Sequence, residues 1–149
     1  MAVIGFLITE LSGSEGIGSL DFDIGVLQGI LRINVGVNFA TDDGSAQGMP
    51  LSIAVRYCQF TWFTPSAAGL DYDETTSSLV FTDRSTESVP VGIIDNSFFE
   101  SNETFFGQLT AASVLPPTVH LDPIEAVATI LDNDIFDNDR TYRSSLLAT

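Results

Sequence analysis

Lysine is absent from this sequence, and five arginines are the only residues that balance 20 aspartates and glutamates among 149 residues. The formal net charge is −15. Nucleic-acid-binding domains depend on basic patches that neutralise phosphates, so nucleic acid is excluded as a partner. A folded domain with this charge instead attracts cations or a basic protein surface.

Cysteine and histidine each occur once, as Cys58 and His120. A single cysteine cannot form an internal disulfide, and a single histidine argues against a zinc site or a Ser-His-Asp triad. The H-E-x-x-H, G-x-S-x-G and Walker motifs are also missing from the sequence. We therefore expect a protein that is not an enzyme.

Long apolar runs are absent as well. No stretch approaches the roughly 20 residues that a membrane-spanning helix needs, so direct membrane insertion is not expected. The apolar residues 2–8 have no basic residue before them and are followed by Glu10, which does not fit a signal peptide. If the protein is exported, we expect the signal to lie elsewhere in a longer polypeptide.

Short β-strand patterns are what the sequence does contain. In residues 31–39, large aliphatic and aromatic residues alternate with polar residues and glycine, which is typical of a half-buried strand. Similar stretches occur at 3–9, 19–26, 78–82, 89–94, 104–111 and 126–131. Seven short strands with polar turns predict an all-β fold, a seven-stranded antiparallel sandwich of immunoglobulin type.

Two segments do not follow this pattern. Residues 47–67 are rich in aromatic and β-branched residues, and we interpret them as an insertion that forms an extra hairpin, an edge strand or a long hydrophobic loop. Residues 137–149 lose all periodicity and are interpreted as a linker or frayed tail. The predicted domain therefore covers residues 1–136.

Acidic residues gather where the predicted strands end. Alternate strand ends of an antiparallel sandwich share one pole, and carboxylates that meet there repel one another unless a cation lies between them. Ca²⁺ suits such a site because it takes six to eight oxygen ligands. Acidic residues also favour loops on any acidic protein, so the spacing leaves both interpretations open. The candidates are Glu10, Asp71, Asp95, Glu100, Glu103, Asp132 and Asp134.

Several motifs resemble those of the Calx-beta domain family. They are G-L-D-Y at 69–72, I-I-D-N-x-x-x-E-x-x-E-x-F at 93–105 and A-V-A-T-I-L-D-N-D at 126–134. Upstream, F-A-T-D-D-G-S-A at 39–46 is similar to a turn of the family, and I-T-E with a glycine at 13 is similar to its opening motif. The resemblance covers about residues 3–136.

The resemblance implies a seven-stranded β-sandwich with Ca²⁺ at one pole. Asn96 and Asn133 stand where the family has aspartates, so it implies fewer or weaker ions here, since an amide offers an oxygen without a charge. Phe98 would contribute a backbone carbonyl. The implied metal ligands are Glu10, Asp71, Asp95, Asn96, Phe98, Glu100, Glu103, Asp132, Asn133 and Asp134.

Three functional hypotheses stay open. The first is a non-catalytic calcium-binding module of a larger cell-adhesion, matrix or membrane-associated protein. Its partners would be neighbouring domains of the same polypeptide and a protein adhesion partner, and an extracellular location is favoured over a cytoplasmic one. The second is a structural spacer whose calcium site has decayed. The third is a glycosidase that uses two of the carboxylates.

Overall fold

The computed structural model describes residues 1–49, 70–97 and 99–134. Apart from one turn of 3-10 helix at Glu15–Ile17, the regular structure of these residues consists of strands. The strands are β1 (Ala2–Phe6), β2 (Glu10–Ser14), β3 (Ser19–Gln28), β4 (Val35–Asp43), β5 (Gly48–Met49), β6 (Tyr72–Asp73), β7 (Thr76–Phe81), β8 (Thr86–Gly92), β9 (Glu103–Ala111), β10 (Val119–Leu121) and β11 (Glu125–Leu131).

Two sheets make up the fold. The first has the strand order β10-β1-β3-β8 and the second has the order β2-β11-β9-β4-β7, while β5 and β6 form a short separate pair. The sheets pack on one another as a sandwich, which confirms the predicted immunoglobulin-like all-β fold. None of the described segments is a helix that could cross a membrane.

Most neighbouring strands are antiparallel, but the strands near the start of the chain pair in parallel with strands near the end of the described residues. β1 pairs with β10 in parallel, and β2 pairs with β11 in parallel. Both stretches, β1–β2 and β10–β11, run in the same direction and cross from the first sheet to the second. The crossing is tight, because a Cβ added at Gly5 would lie 2.3 Å from the carbonyl oxygen of Asp122.

Each of the seven predicted strands has a counterpart, but the structure divides the described residues into eleven strands. The additional strands β2, β5, β6 and β10 are short, and none has an alternating apolar pattern long enough to stand out in the sequence. The strand predicted at 31–39 begins later, at Val35, so Ile33 is 55% exposed instead of facing the core. It also continues through Asp43 into the predicted turn, because Asp43 pairs with Phe105 of β9.

Aromatic rings in tilted and edge-to-face contacts fill the space between the sheets. Phe22 of β3 lies 5.2 Å from Phe39 of β4 and 5.9 Å from Phe105 of β9, measured between ring centroids. The ring of Phe22 fits because β9 carries Gly107 opposite it: a Cβ there would lie 2.7 Å from the ring. Large rings on three strands and a missing side chain on one of them therefore set the spacing of the two sheets.

The predicted insertion and tail lie almost entirely outside the described residues. Of residues 47–67, only 47–49 are described, and there β5 pairs in parallel with β6. Residues 137–149 are not described. The alternating strand directions bring the ends of β4 and β11 and the starts of β3, β7 and β9 to one pole of the sandwich.

Candidate metal centre

Carboxylates from distant parts of the chain converge at this pole in two groups. In each group one oxygen from every side chain lies within 4.8 Å of the others. The Glu15 group consists of Glu15, Asp132 and Asp134, and the Asp71 group consists of Asp71, Glu100 and Glu103. We call the region that holds both groups the acidic pole.

Strand pairing positions the Glu15 group. β2 runs alongside β11 so that Ser14 lies opposite Leu131, which places the next residues of the two strands, Glu15 and Asp132, close together. Ser14 also caps the 3-10 helix, since its hydroxyl accepts a hydrogen bond of 3.3 Å from the N–H of Gly16. Asp132 in turn accepts a hydrogen bond of 3.1 Å from the N–H of Asp134, which turns the chain so that Asp134 also faces Glu15.

Backbone hydrogen bonds position the Asp71 group. The N–H of Asp71 donates to the carbonyl of Gln47 at 2.8 Å, and the N–H of Gln47 donates back to Asp71 Oδ2 at 2.8 Å. The carbonyl of Asp71 accepts from the N–H of Ile94 at 2.9 Å. These hydrogen bonds fix the position of Asp71, which is a buried carboxylate with only 6% of its surface exposed. Glu103, the first residue of β9, completes the group with Glu100.

Burial and mutual repulsion raise the pKa of one glutamate in each group. The pKa of Glu15 is raised from 4.5 to about 7, mainly because the side chain is desolvated and further because Asp132, Glu100 and Asp134 lie nearby. The hydrogen bond that Glu15 accepts from the N–H of Asn96 opposes this rise. Glu15 is only 4% exposed. The ionised form is therefore costly to keep in the folded protein without a cation.

The Asp71 group shows the same effect at Glu103. Its pKa is raised from 4.5 to about 7, first by burial, then by a hydrogen bond and charge repulsion from Asp71, and then by the charges of Glu100 and Glu15. A hydrogen bond between two carboxyl groups requires a shared proton. The protonated form of Glu103 is therefore favoured below about pH 7.

The two groups adjoin each other and share contacts. The N–H of Glu100, a member of the Asp71 group, donates to Asp132 Oδ2 of the Glu15 group at 3.0 Å. Asn96 contacts both groups, because its N–H donates to Glu15 at 3.3 Å and its side-chain amide donates to Glu100 at 3.4 Å. Glu15, Asp71, Glu100 and Glu103 also line one small cavity. The acidic pole therefore behaves electrostatically as one site with two adjoining positions.

The donor set fits a hard divalent cation. Both groups contain only carboxylates, which suit Ca²⁺ or Mg²⁺ and not a metal that prefers sulfur or imidazole. Among the described residues, Asp134 Oδ2 is a buried side-chain oxygen that accepts no hydrogen bond. A buried carboxylate oxygen without a donor is costly, and a bound cation would satisfy it. Ca²⁺ fits better than Mg²⁺ because it accepts many carboxylates in irregular geometry.

Comparison with known proteins identifies the family. The sequence profile described as Calx-beta domain matches residues 1–57 and 64–134. The chain belongs to the Calx-beta family. This confirms the resemblance drawn from the motifs. No curated protein sequence matches this Calx-beta domain.

Solved structures of Calx domains share the fold. The apo form of the Calx CBD1 domain matches with a TM-score of 0.65 and 21% identity over 89% of this chain and 98% of that chain. The Calx CBD2 domain matches with a TM-score of 0.61 and 15% identity over 99% and 94% of the two chains. A structure described as the calcium binding domain CBD12 of CALX1.1 matches with a TM-score of 0.61 and 21% identity over 88% of this chain and 44% of that chain.

Within this Calx-beta domain, five of the predicted ligands meet in the two groups. They are Asp71, Glu100, Glu103, Asp132 and Asp134. Three other predicted ligands border the groups: Asp95, Asn96 and Asn133. Asn96 contacts both groups. The side-chain amide of Asn133 donates a hydrogen bond of 3.2 Å to Asp95, which is exposed. Phe98 lies outside the described residues.

Glu10 lies apart from both groups, and Glu15 is a member that the sequence analysis did not select. Glu10 is exposed and pairs with Val127, four positions before Leu131 at the end of β11. A signal for Glu15 was present, because Glu15 and Gly18 repeat the E-x-x-G spacing of Glu10 and Gly13. The repeat at Glu15 comes directly before the alternating pattern of β3, which identifies it as the motif that precedes a long strand.

Proposed function

We propose that this Calx-beta domain is a non-catalytic calcium-binding module that binds Ca²⁺ at the acidic pole. The observation that carries the proposal is the convergence of six carboxylates into two adjoining groups, with Glu15 and Asp71 buried. The unpartnered Asp134 Oδ2 and the family membership support it. Within the described residues, Glu15, Asp132 and Asp134 would hold one cation and Asp71, Glu100 and Glu103 another.

Calcium would act as a crosslink between chain segments. The six carboxylates come from the β2–β3 connection, the segment before β6, the β8–β9 loop with the start of β9, and the end of β11. Two Ca²⁺ ions would offset four of their six charges, which makes about two ions a sensible load. Binding would relieve the repulsion and stiffen the connections at this pole.

We further propose that the stiffened pole sets the angle to a neighbouring domain in a larger cell-adhesion, matrix or membrane-associated protein. Loop-borne carboxylate sites of this kind have Kd values on the order of 10⁻⁵ to 10⁻³ M. That range suits the calcium concentration outside cells, which favours an extracellular module. Its partners would be adjacent domains of the polypeptide and a protein adhesion partner.

A structural spacer with a decayed calcium site is the second candidate. Two asparagines favour it, since Asn96 and Asn133 place neutral amides against Glu100 and Asp95. Amide donors of this kind satisfy carboxylates without a metal. The two candidates differ in one measurable property, which is calcium affinity.

Isothermal titration calorimetry and thermal unfolding separate the candidates. We expect 10 mM CaCl₂ to raise Tm by roughly 5–10 °C for each well-filled site, since binding at 100 times Kd contributes about 2.7 kcal/mol and each kcal/mol is worth about 2–4 °C. MgCl₂ should do much less. NaCl at matched ionic strength is the control, because screening alone relieves part of the −15 repulsion.

Variants assign the effect to the acidic pole. Asp132→Asn should remove most of the response of the Glu15 group, and Glu100→Gln should remove most of the response of the Asp71 group. Asp21→Asn is the matched control, because Asp21, the third residue of β3, is exposed and belongs to neither carboxylate group. If CaCl₂ raises Tm no more than NaCl does and calorimetry shows no binding, the calcium-binding function is wrong and the spacer is correct.

A further inference from the structure

A turn outside the carboxylate groups is hydrogen-bonded both to the segment that carries Asp71 and to the strand that carries Glu103. The turn consists of residues 43–48, between β4 and β5, and we call it the Asp43 turn. Its first residue closes it, because Asp43 Oδ1 accepts a hydrogen bond of 2.8 Å from the N–H of Gly48 and another from the hydroxyl of Tyr72.

One side of the Asp43 turn holds Asp71. Gln47 exchanges two hydrogen bonds of 2.8 Å with Asp71, one of them to the carboxylate oxygen Oδ2. Tyr72, the neighbour of Asp71, is fully buried and stacks on Phe105 with ring centroids 4.1 Å apart. The hydroxyl of Tyr72 ends at Asp43, so the ring and the turn fix Asp71 from two directions.

The other side of the turn holds the strand that carries Glu103. The N–H of Thr104 donates to the hydroxyl oxygen of Ser45 at 2.8 Å, and the carbonyl of Thr104 accepts from the N–H of Ala46 at 2.8 Å. Thr104 directly follows Glu103 on β9. The Asp43 turn is therefore bound to the neighbours of both Glu103 and Asp71.

Close packing leaves the turn little freedom. A Cβ at Gly44 would lie 2.4 Å from the carbonyl oxygen of Thr104, and a Cβ at Gly48 would lie 2.9 Å from the ring of Tyr72. These contacts require glycine at both positions. The distance between the Asp71 and Glu103 carboxylates thus depends on a turn whose closing acceptor is the Asp43 carboxylate.

We propose that Asp43 is a positioning residue for calcium: through Tyr72 and the turn it closes, it sets the separation of Asp71 and Glu103. The inference rests on the proposed calcium-binding function. Removing a group that orients metal ligands typically weakens metal affinity by 10–100-fold. The effect should be largest at the Asp71 group, because no hydrogen bond of the turn leads to Glu15, Asp132 or Asp134 among the described contacts.

The test is a calcium titration followed by ¹H–¹⁵N NMR, with the amide of Glu103 reporting on the Asp71 group and the amide of Asp134 on the Glu15 group. In Asp43→Ala we expect the Kd reported by Glu103 to rise at least about tenfold and the Kd reported by Asp134 to rise by a clearly smaller factor. Asp43→Asn keeps the Oδ1 acceptor and should restore the wild-type value.

Two further variants complete the test, one as a control and one as a second perturbation of the turn. Asp42→Ala removes the adjacent carboxylate but leaves the turn closed, so its Kd values should match those of the wild type and exclude a general charge effect. Tyr72→Phe removes one hydroxyl only and should weaken the Glu103-reported affinity in the same direction as Asp43→Ala. Tyr72→Phe decides the question if Asp43→Ala does not give the dispersed spectrum of a folded protein.

Unchanged Kd values at Glu103 in the folded Asp43→Ala variant, or in Tyr72→Phe when the first does not fold, overturn the inference. So does an Asp42→Ala variant that weakens binding as much as Asp43→Ala. A wild-type protein that shows no calcium-dependent shifts is a different result, because it refutes the proposed calcium-binding function itself.

Discussion

Replacing Glu15 with glutamine should stabilise the calcium-free protein and weaken its response to calcium, two effects of opposite sign from one change. Glu15 is 4% exposed, and its pKa is raised to about 7. Glutamine has nearly the same volume and keeps an oxygen that can accept the N–H of Asn96. The change therefore removes a buried negative charge with little change in packing.

The magnitude follows from the pKa. A glutamate whose pKa is 4.5 in the unfolded chain and about 7 in the folded protein takes up a proton on folding between those values. Each pH unit of that interval is worth about 1.4 kcal/mol, so at pH 8 the ionised side chain lowers the free energy of unfolding by about 3 kcal/mol. Allowing for imperfect hydrogen bonding of the new amide, we expect Glu15→Gln to gain about 1–3 kcal/mol. That gain raises Tm by roughly 3–10 °C.

Calcium should narrow the difference in stability between the two proteins. If the lost charge weakens binding at the Glu15 group tenfold, a stabilisation of about 2.7 kcal/mol at 100 times Kd falls to about 1.4 kcal/mol. Thermal unfolding at pH 8 in EDTA and in CaCl₂ measures both effects. Glu10→Gln is the matched control, because Glu10 is exposed on β2 and should change neither value. A lower Tm of Glu15→Gln in EDTA, or an undiminished calcium response, would refute the reasoning.

Three other predictions concern pH, ion number and the core. Glu15 and Glu103 have a raised pKa, so in the folded state they keep their protons to a higher pH than in the unfolded chain. Their contribution to the free energy of unfolding is therefore complete below about pH 4.5 and is lost as pH rises to about 7. In EDTA, Tm should therefore rise as pH is lowered from 8 to 6, and saturating calcium should remove that rise; a falling Tm in EDTA would contradict it. Asn96→Asp adds a carboxylate between the two groups. Calorimetry should therefore show more bound calcium, and the Tm in EDTA should fall. An unchanged stoichiometry would exclude Asn96 as a limit on the number of ions. Gly107→Ala should lower the free energy of unfolding, measured by chemical denaturation, by about 1–3 kcal/mol, because the new methyl would lie 2.7 Å from the Phe22 ring. Gly36→Ala is the control and should cost less, because its new methyl meets only one other methyl, at 3.1 Å. Equal losses would show that the ring contact is not the cause.

The sandwich could be predicted because its strands are locally encoded. In β4, Val35, Val37 and Phe39 are buried and alternate with residues that are more exposed, which is the period that the sequence shows. β2 and β10 could not be predicted in the same way. Both are short, β2 is mostly polar, and β10 has only three residues. They exist because each pairs with a strand that is distant in sequence.

The candidate site was predictable only where strand ends and carboxylates coincide. Asp71, Glu103 and Asp132 each stand next to a strand, so their meeting at one pole follows from alternating strand direction. The choice between Glu10 and Glu15 depends instead on the parallel register of β2 and β11, which puts Glu10 opposite Val127 and Ser14 opposite Leu131. A shift of five residues along one strand moves a carboxylate from the middle of the sheet to its end, and the two E-x-x-G repeats do not by themselves fix that register.

The same register explains why charge repulsion is concentrated at this pole. A domain with a net charge of −15 could spread its carboxylates over the surface, yet Glu15 and Asp71 are buried beside four other acids. Burying like charges lowers the stability of the folded state, and the rise of the pKa of Glu15 and of Glu103 to about 7 reflects that cost. An arrangement that only spaced neighbouring domains would gain stability from neutral side chains at these positions. Calcium binding as proposed would convert the cost into binding free energy, because a bound cation would relieve the repulsion that opposes folding without metal.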